Sequence, residues 1–382
     1  MRILNVVGAR PQFVKLAPVC RAIDAHNATS PSVPIENVIL HTGQHYDPGL
    51  SDVFFDELEI PRPDVALGVG SGNHGQQTAK MLEGIENLLL KDKLDAVVVY
   101  GDTNSTIAAA LAAVKLHVPV VHIEAGLRSF NRRMPEEINR IATDHIADLL
   151  LAPTPTALRN LTAEQLGDRT RLTGDVMLDA VRFNLGLAKV RSKVLETLGL
   201  SVGRYAVATV HRAENTDGPR LQLVMDSLAR VAIEGVPVIL PLHPRTAGRL
   251  RSVIPGWKAP AALRIVEPLG YLDMLRLVDG SKMVLTDSGG LQKEAFFLAK
   301  PCVTLRDETE WVETVEGGGN IVTGVDAKAI AAAVRHWDER IVAGAADFSA
   351  GIRSGFGDGA AADLTVKAIC EFLDDKGAAA SR

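Results

Sequence analysis

The chain has 382 residues, 47% of them hydrophobic and 23% charged, and its formal net charge is −5. This length exceeds what one compact core usually supports, so two domains with a cleft between them are expected. The cations are dispersed and no apolar run reaches the roughly 18 to 20 residues of a membrane helix, so neither nucleic acid nor a membrane is an expected partner.

Predicted strands alternate with Ala- and Leu-rich helical stretches along the whole chain. Strand-like runs occupy residues 3–7, 38–41, 96–100 and 118–123 in the first half, and residues 205–210, 236–242, 263–266, 283–286 and 302–305 in the second. Such alternation is typical of βαβ units with parallel sheets. The sequence therefore predicts an α/β protein with two Rossmann-like, doubly wound domains.

A polar segment at residues 168–175 is the candidate hinge, because it follows a helix-rich stretch and precedes the second series of strands. It indicates domains of residues 1–173 and 174–359, with a C-terminal helix at residues 360–382 joining the first domain. The N-terminus lacks signal-peptide features, so a cytoplasmic location is expected. The three cysteines lie far apart without CxxC spacing, which predicts neither a disulfide framework nor a zinc site.

A glycine turn and a helix follow the first predicted strand. Arg10 and Lys15 lie at the entrance of this helix, and Pro11 is expected at its first position. Two cations at a helix start suit phosphate or a polarised leaving group, although two solvated cations give the same pattern. The segment lacks the G-x-G-x-x-G fingerprint, so a dinucleotide cofactor is not expected.

Acidic residues follow two neighbouring predicted strands and also open a helix. Asp102 and Glu124 each come directly after a strand, and Glu136 and Glu137 lie in a first helical turn. Ligands of open α/β sheets bind beyond the carboxyl ends of the strands, so these acids can share one cleft and serve proton transfer at carbon. The alternatives are an N-cap, a loop salt bridge and acids that favour a helix N-terminus.

In the second half, Ser288, Gly289 and Gly290 join a predicted strand to a helix. Free N–H groups and the helix dipole at such a turn suit a diphosphate, and the alternative is an ordinary N-cap. Glu294, further along this helix, is a candidate for accepting from both ribose hydroxyls, with a surface charge as the alternative.

Two histidines, His211 and His243, each end a predicted strand. Either can neutralise or protonate a departing diphosphate, and the alternative is a histidine satisfied within a loop. No segment reads HExxH, which argues against a metal hydrolase.

Six motifs, taken in order, resemble those of the non-hydrolysing UDP-N-acetylglucosamine 2-epimerases. They read GARPQFVK at residues 8–15, GDTNS at 101–105, HIEAGLR at 122–128, PEEINR at 135–140, EPLG at 267–270 and DSGGLQKE at 287–294. The resemblance implies a GT-B-type fold, in which two Rossmann-like domains face each other across a cleft. It also implies a homodimer, a UDP-sugar substrate and no need for NAD or a metal.

The same resemblance implies a mechanism in which the C2 proton is removed as UDP leaves C1, after which UDP re-adds to the bound 2-acetamidoglucal. It places Asp102, Glu124 and Glu136 around the sugar and His211 near the leaving diphosphate. The implied UDP-binding residues are Arg10, Lys15, Ser288, Gly289 and Gly290 at phosphate, Glu294 at the ribose, and the segment from Leu269 to Tyr271 at uracil. His243, at its strand end, is a further candidate for binding UDP.

The substrate is left open between two UDP-sugars. The basic stretch that includes Arg128, Arg132 and Arg133 resembles a sister group acting on UDP-2,3-diacetamido-2,3-dideoxyglucuronate, whose C6 carboxylate can pair with an arginine. Three other hypotheses share the same cleft: a GT-B glycosyltransferase, a hydrolysing epimerase that releases free N-acetylmannosamine, and a catalytically silent nucleotide-sugar sensor.

Overall fold

A computed structural model describes residues 1–44, 55–242 and 244–380. The chain divides into two compact units, one formed by residues 1–180 with 356–382 and the other by residues 181–355. Each unit contains one parallel sheet covered by helices, which confirms the predicted α/β class with two Rossmann-like domains.

The first unit contains a seven-stranded parallel sheet in the order β3-β2-β1-β4-β5-β6-β7. Its strands are β1 (Arg2–Val7), β2 (Glu36–His41), β3 (Val65–Ala66), β4 (Ala96–Tyr100), β5 (Val120–Ile123), β6 (Leu149–Ala152) and β7 (Thr170–Leu172). The helices that connect them are α1 (Arg10–Ala28), α2 (His74–Lys91), α3 (Asn104–Lys115), α4 (Pro135–Ile146) and α5 (Pro155–Ala163). Helix α6 (Val176–Arg191) carries the chain into the second unit.

The second unit contains a six-stranded parallel sheet in the order β10-β9-β8-β11-β12-β13. Its strands are β8 (Ala206–Thr209), β9 (Val238–Pro241), β10 (Leu263–Val266), β11 (Met283–Thr286), β12 (Cys302–Thr304) and β13 (Asn320–Val322). The helices are α7 (Val194–Thr197), α8 (Ala213–Thr216), α9 (Pro219–Ile233), α10 (Pro244–Val253), α11 (Tyr271–Gly280), α12 (Gly289–Phe297), α13 (Val312–Glu316), α14 (Ala327–Val342) and α15 (Ser349–Phe356).

The strands are short and apolar because helices cover both faces of each sheet. All five residues of β4, Ala-Val-Val-Val-Tyr, are buried, as expected for a central strand of a parallel sheet. Helix α3 lies close to the sheet through a run of alanines, of which Ala108, Ala109 and Ala110 are fully buried. The final helix, α16 (Ala361–Ala380), packs against α1 and β6 of the first unit.

Each strand order reverses at one point, between β1 and β4 in the first sheet and between β8 and β11 in the second. At such a switch point the connections leave the two central strands toward opposite faces, and the crevice beyond their carboxyl ends stays open. The chain therefore offers one candidate binding position in each unit. In the helices that the structure describes, no segment is both long and apolar enough to cross a membrane.

Gly126, just after β5, has a backbone conformation that only glycine adopts readily at this carboxyl end of the sheet. Its φ is +85°, and a Cβ atom there would lie 2.5 Å from the carbonyl oxygen of Ala157. We expect Gly126→Ala to lower the free energy of unfolding by about 2–4 kcal/mol, from left-handed strain plus overpacking. Equilibrium urea denaturation measures this change.

Gly186, inside α6 with open space around it, provides the matched control. Gly186→Ala should raise the free energy of unfolding by about 0.5–1 kcal/mol, because alanine is favoured in a helix interior. Equal midpoints for wild type and Gly126→Ala would contradict the predicted constraint.

Candidate active site

The turn after β1 is tied to the end of β4 by a buried amide. Gln12 in α1 accepts from the backbone N–H groups of Gly8 (2.8 Å) and Ala9 (3.1 Å) and donates to the carbonyl of Tyr100 (2.9 Å). A side chain at Gly8 would collide with the hydroxyl of Ser105. Glycine is thus required where the two central strands of the first sheet end.

Lys15 and Glu124 form a buried ion pair at this switch point. Their side chains are 11% and 6% exposed, respectively. Glu124 adopts a φ of +70°, which is uncommon outside glycine. A Cβ at Gly101 would lie 3.0 Å from both charged groups, so the pair lies directly against the turn after β4. Lys15, predicted from the sequence to bind phosphate, is placed by the structure beside a candidate catalytic acid.

Asp102 is held by α4. Arg140 donates through Nε to the Asp102 carboxylate at 3.1 Å, and Asn139 donates to its backbone carbonyl at 3.0 Å. The N-cap of α3 is Thr103, whose hydroxyl accepts from the backbone of Thr106. The Asp102 carboxylate is therefore not used in capping. It is partly exposed, just beyond the carboxyl end of β4.

The two adjacent acids at the start of α4 have different environments. Glu137 is buried and accepts from the backbone N–H groups of Ser129 and Phe130, both at 2.9 Å, and from Arg140 at 3.0 Å. Glu136 is half-buried, and its carboxylate makes no hydrogen bond or ion pair with any residue that the structure describes. Glu137 thus orders the preceding loop, whereas Glu136 is available to a ligand.

At the switch point of the second sheet, Asp287 follows β11 and anchors the loop after β8. It accepts from the backbone N–H groups of His211 and Arg212, both at 3.1 Å, from Asn215 at 3.2 Å, and from Nδ1 of His211 at 2.9 Å. Burial alone would raise the pKa of Asp287, but the hydrogen bond and charge of His211 and the two N–H groups together lower it. Asp287 is therefore a buried carboxylate in its ionised form.

The His211 ring is oriented by this contact. Its side chain is 51% exposed, and because Nδ1 faces Asp287, Nε2 remains for another partner. It lines a cavity of about 370 Å³ with Thr246 and Arg249 of α10. A histidine whose inner nitrogen is fixed by an aspartate can present its outer nitrogen to an anionic ligand.

Ser288 caps α12, since its hydroxyl accepts from the N–H of Leu291 at 3.3 Å. A side chain at Gly289 would collide with the carboxylate of Glu310. The Glu310 side chain is 7% exposed and accepts from Arg306 at 2.8 Å. Burial would raise the pKa of Glu310, and Arg306 together with Arg212 lowers it below its usual value. The N-terminus of α12 is thus bordered by a buried ion pair.

The remaining predicted UDP-binding residues lie in several environments. Glu294 is half-buried at the sixth position of α12, Leu269 packs partly buried against a hydrophobic cluster of the second unit, and Tyr271 is buried at the start of α11. Arg10 is exposed as the first residue of α1, so Pro11 takes the second position. His243 lies outside the described residues.

Sequence reasoning missed several residues that hold the acids and the histidine. Asp287 directly follows β11, and ligands of open α/β sheets bind beyond the carboxyl ends of the strands, so its position was a usable signal. Arg140 carried a weaker signal, its i+3 spacing from Glu137. Asp144, also in α4, carried none, because its partners His122 and Arg128 come from another element.

Comparisons with known proteins identify relatives over most of the chain. The sequence model of a family described as UDP-N-acetylglucosamine 2-epimerase matches residues 27–370. A UDP-2,3-diacetamido-2,3-dideoxy-D-glucuronate 2-epimerase of Pseudomonas aeruginosa is 49% identical over 329 residues, covering 85% of this chain and 88% of that protein. A UDP-N-acetylglucosamine 2-epimerase homolog of Methanococcus maripaludis is 49% identical over 334 residues, covering 86% and 90%.

Solved structures of UDP-GlcNAc 2-epimerases are also similar to this chain over most of its length. The crystal structure of Methanocaldococcus jannaschii UDP-GlcNAc 2-epimerase in complex with UDP-GlcNAc and UDP is 40% identical and aligns with a TM-score of 0.86, covering 97% of this chain and 100% of that one. The UDP-GlcNAc 2-epimerase of Neisseria meningitidis bound to UDP-GlcNAc is 29% identical, with a TM-score of 0.85 and coverage of 97% and 100%.

The buried carboxylate of Asp287 should contribute to the pH dependence of stability. Because the folded-state pKa lies below the unfolded value, its contribution is full above the unfolded pKa of about 3.9 and is lost as the pH falls through the folded pKa. We expect Asp287→Asn to lower the free energy of unfolding at pH 7 by about 1–3 kcal/mol, since the amide leaves N–H donors unpaired. Urea denaturation from pH 7 to pH 3 should show a shallower acid decline than in wild type.

Asp363→Asn, at an exposed position of α16, is the matched control and should follow the wild-type curve. Parallel pH curves for wild type and Asp287→Asn would contradict the stabilising role of the Asp287 carboxylate.

Proposed function

The chain belongs to the UDP-N-acetylglucosamine 2-epimerase family, as its motifs predicted, and from this premise we propose that it interconverts UDP-N-acetylglucosamine and UDP-N-acetylmannosamine. As a UDP-sugar 2-epimerase it must break and reform the C2–H bond. In the proposed reaction the C2 proton leaves together with UDP, giving bound 2-acetamidoglucal and UDP. UDP then adds back to C1 while a proton is delivered to the opposite face of C2.

The observation that carries this proposal is the set of carboxylates at the end of the first sheet. Glu124 is paired with Lys15 and Asp102 with Arg140, whereas Glu136 has no partner in the described part of the chain. Inversion needs proton-transfer groups on both faces of C2, so more than one acid is required. We assign Glu136 to direct proton transfer, because its carboxylate is the least engaged by the protein.

The second unit supplies the groups proposed for the leaving diphosphate. His211, oriented by Asp287, offers Nε2 as a donor to a phosphate oxygen as the C1–O bond breaks. The N-terminus of α12 at Ser288, Gly289 and Gly290 offers N–H groups and the positive end of a helix dipole.

Three expectations drawn from the sequence remain predictions. They are a homodimer, a cytoplasmic location, and independence from NAD and metals. The glycosyltransferase hypothesis has no observation in its favour.

The Glu136 assignment predicts a specific kinetic loss. In deuterated water, wild type should place deuterium at C2 of the sugar, and Glu136→Gln should lower that exchange about 10²–10⁴-fold, the usual contribution of a positioned acid or base. NMR of the UDP-sugar measures exchange, and calorimetry with UDP should give a Kd near that of wild type.

Glu83→Gln, which changes an exposed glutamate of α2, is the matched control and should exchange at the wild-type rate. Full C2 exchange in Glu136→Gln would remove Glu136 from the mechanism. Epimerised product without C2 deuterium in wild type would instead defeat the elimination route.

A second substrate is favoured by the loop before α4. Phe130 is 79% exposed, and the side chains of Arg132 and Arg133 are exposed and make no hydrogen bond or ion pair within the described ranges. Glu137 orders this loop next to Glu136. Two arginines a few residues before a proposed catalytic acid would suit the C6 carboxylate of UDP-2,3-diacetamido-2,3-dideoxyglucuronate. This is the sugar named for the Pseudomonas aeruginosa relative.

A substrate panel distinguishes the two sugars. If the uronate is the substrate, the double substitution Arg132→Gln with Arg133→Gln should raise its KM about 10–100-fold, the loss of one or two charge-assisted hydrogen bonds. Turnover of UDP-N-acetylglucosamine should be unchanged. Steady-state kinetics on both sugars measures this.

The control is Arg335→Gln, at an exposed position of α14, which should leave both KM values unchanged. Efficient wild-type turnover of UDP-N-acetylglucosamine with no turnover of the uronate would exclude the second substrate.

A further inference from the structure

His122 is a fully buried histidine in β5 whose two ring nitrogens both face acceptors. Nε2 lies 2.7 Å from the carbonyl oxygen of Gly101, and Nδ1 lies 2.7 Å from Oδ1 of Asp144. A backbone carbonyl only accepts hydrogen bonds. The Nε2 position must therefore carry a proton.

Nδ1 of His122 faces the Asp144 carboxylate, which also accepts hydrogen bonds from two other groups. Its Oδ2 accepts from Arg128 Nη1 at 2.7 Å and from the backbone N–H of Gly126 at 3.1 Å. Burial raises the pKa of Asp144, but hydrogen bonds and charge from His122 and Arg128 outweigh burial and lower it. The remaining oxygen, Oδ1, faces Nδ1 of His122, so the contact geometry places a hydrogen-bond donor at Nδ1 as well as at Nε2.

His122 belongs to a chain of basic and acidic side chains that alternate and are hydrogen-bonded to one another. Asp144 pairs with His122 on one side and with Arg128 on the other, and Arg128 donates two hydrogen bonds to Glu164, at 2.7 and 2.8 Å. A charge removed from water is tolerated when it is paired and hydrogen-bonded. The charges in the network therefore compensate one another, and the hydrogen bonds between them fix the positions of the side chains.

The positions that this network fixes flank two of the proposed catalytic acids. The carbonyl held by His122 belongs to Gly101, which directly precedes Asp102. His122 itself lies two residues before Glu124, and the N–H held by Asp144 belongs to Gly126, two residues after it. Glu124, with its φ of +70°, is thus anchored on both sides, as a strained residue needs to be.

We propose that His122 is a positioning residue for the epimerisation: by bridging Asp144 to the carbonyl of Gly101, it sets where the carboxylates of Asp102 and Glu124 lie. The inference rests on the proposed function, because it concerns the acids of that reaction. His122 is too deeply buried to touch a substrate.

The main test is His122→Gln. Glutamine can donate to Gly101, but its carbonyl oxygen would then face the Asp144 carboxylate, so the bridge is lost. We expect kcat and the rate of C2 deuterium exchange to fall at least about 100-fold, the penalty of misplacing catalytic groups, while the Kd for UDP stays within about twofold of wild type. His336→Gln, at an exposed position of α14, is the matched control and should match wild type in both measurements.

Asp144→Asn separates positioning from general damage to the core. In this variant His122 can become neutral, keep its Nε2 proton on Gly101 and accept at Nδ1 from the asparagine amide. We expect kcat within about tenfold of wild type, far above that of His122→Gln. An unchanged kcat in His122→Gln, or equal losses in both variants, would overturn the positioning role.

A measurement on wild type keeps the proposal testable if either variant does not fold. Neutron diffraction from deuterated crystals grown near pH 7 should show deuterons on both ring nitrogens of His122. A single ring deuteron would overturn the bridge. If wild type shows no C2 exchange with either UDP-sugar, the proposed function fails, and the ring-deuteron count still decides the state of His122.

Discussion

The open crevice at a strand-order reversal is the constraint from which the candidate site follows. In each sheet the backbone groups of the central strands are satisfied by their neighbours, and helices cover both faces, so the free groups lie in the turns beyond the carboxyl ends. In the first unit these turns carry Gly8, Asp102 and Glu124, and in the second they carry His211 and Asp287. The candidate catalytic and binding side chains lie in these turns because the interior of the fold is apolar and closely packed.

Charged groups at the end of an apolar sheet lose hydration, and nearby hydrogen-bond donors and opposite charges offset that loss. The carboxylates of Asp144, Asp287 and Glu310 are largely removed from solvent, and hydrogen bonds and neighbouring positive charges lower the pKa of each despite burial. Leaving any of them without its donors would be strongly destabilising, since the isolated charge would remain buried. These groups hold loops in place, and the side chains that they orient, such as His211, remain accessible.

The sequence identified the strand ends but not the partners of the residues found there. Asp102, Glu124 and His211 were located because short β-branched runs end just before them. The ion pair of Lys15 with Glu124 joins residues 109 positions apart, which no spacing rule connects. Strand β6, Leu149–Ala152, was missed because a leucine run reads equally well as helix. His122 was overlooked as a site residue because it lies inside a strand, and only the fold places Asp144 beside it.

Glu136 and Glu137 illustrate why local sequence cannot separate a structural acid from an available one. Consecutive helical residues point about 100° apart, so one side of the first turn of α4 faces the loop at Ser129 and Phe130 while the next side does not. Glu137 satisfies that loop's N–H groups and also binds Arg140, which in turn holds Asp102. The structural acid thereby orders the surroundings of both proposed catalytic acids near it. Glu136 has no partner among the described residues, since Glu137 already accepts from the N–H groups of the preceding loop. An acid that moves a proton at carbon needs such an unengaged carboxylate.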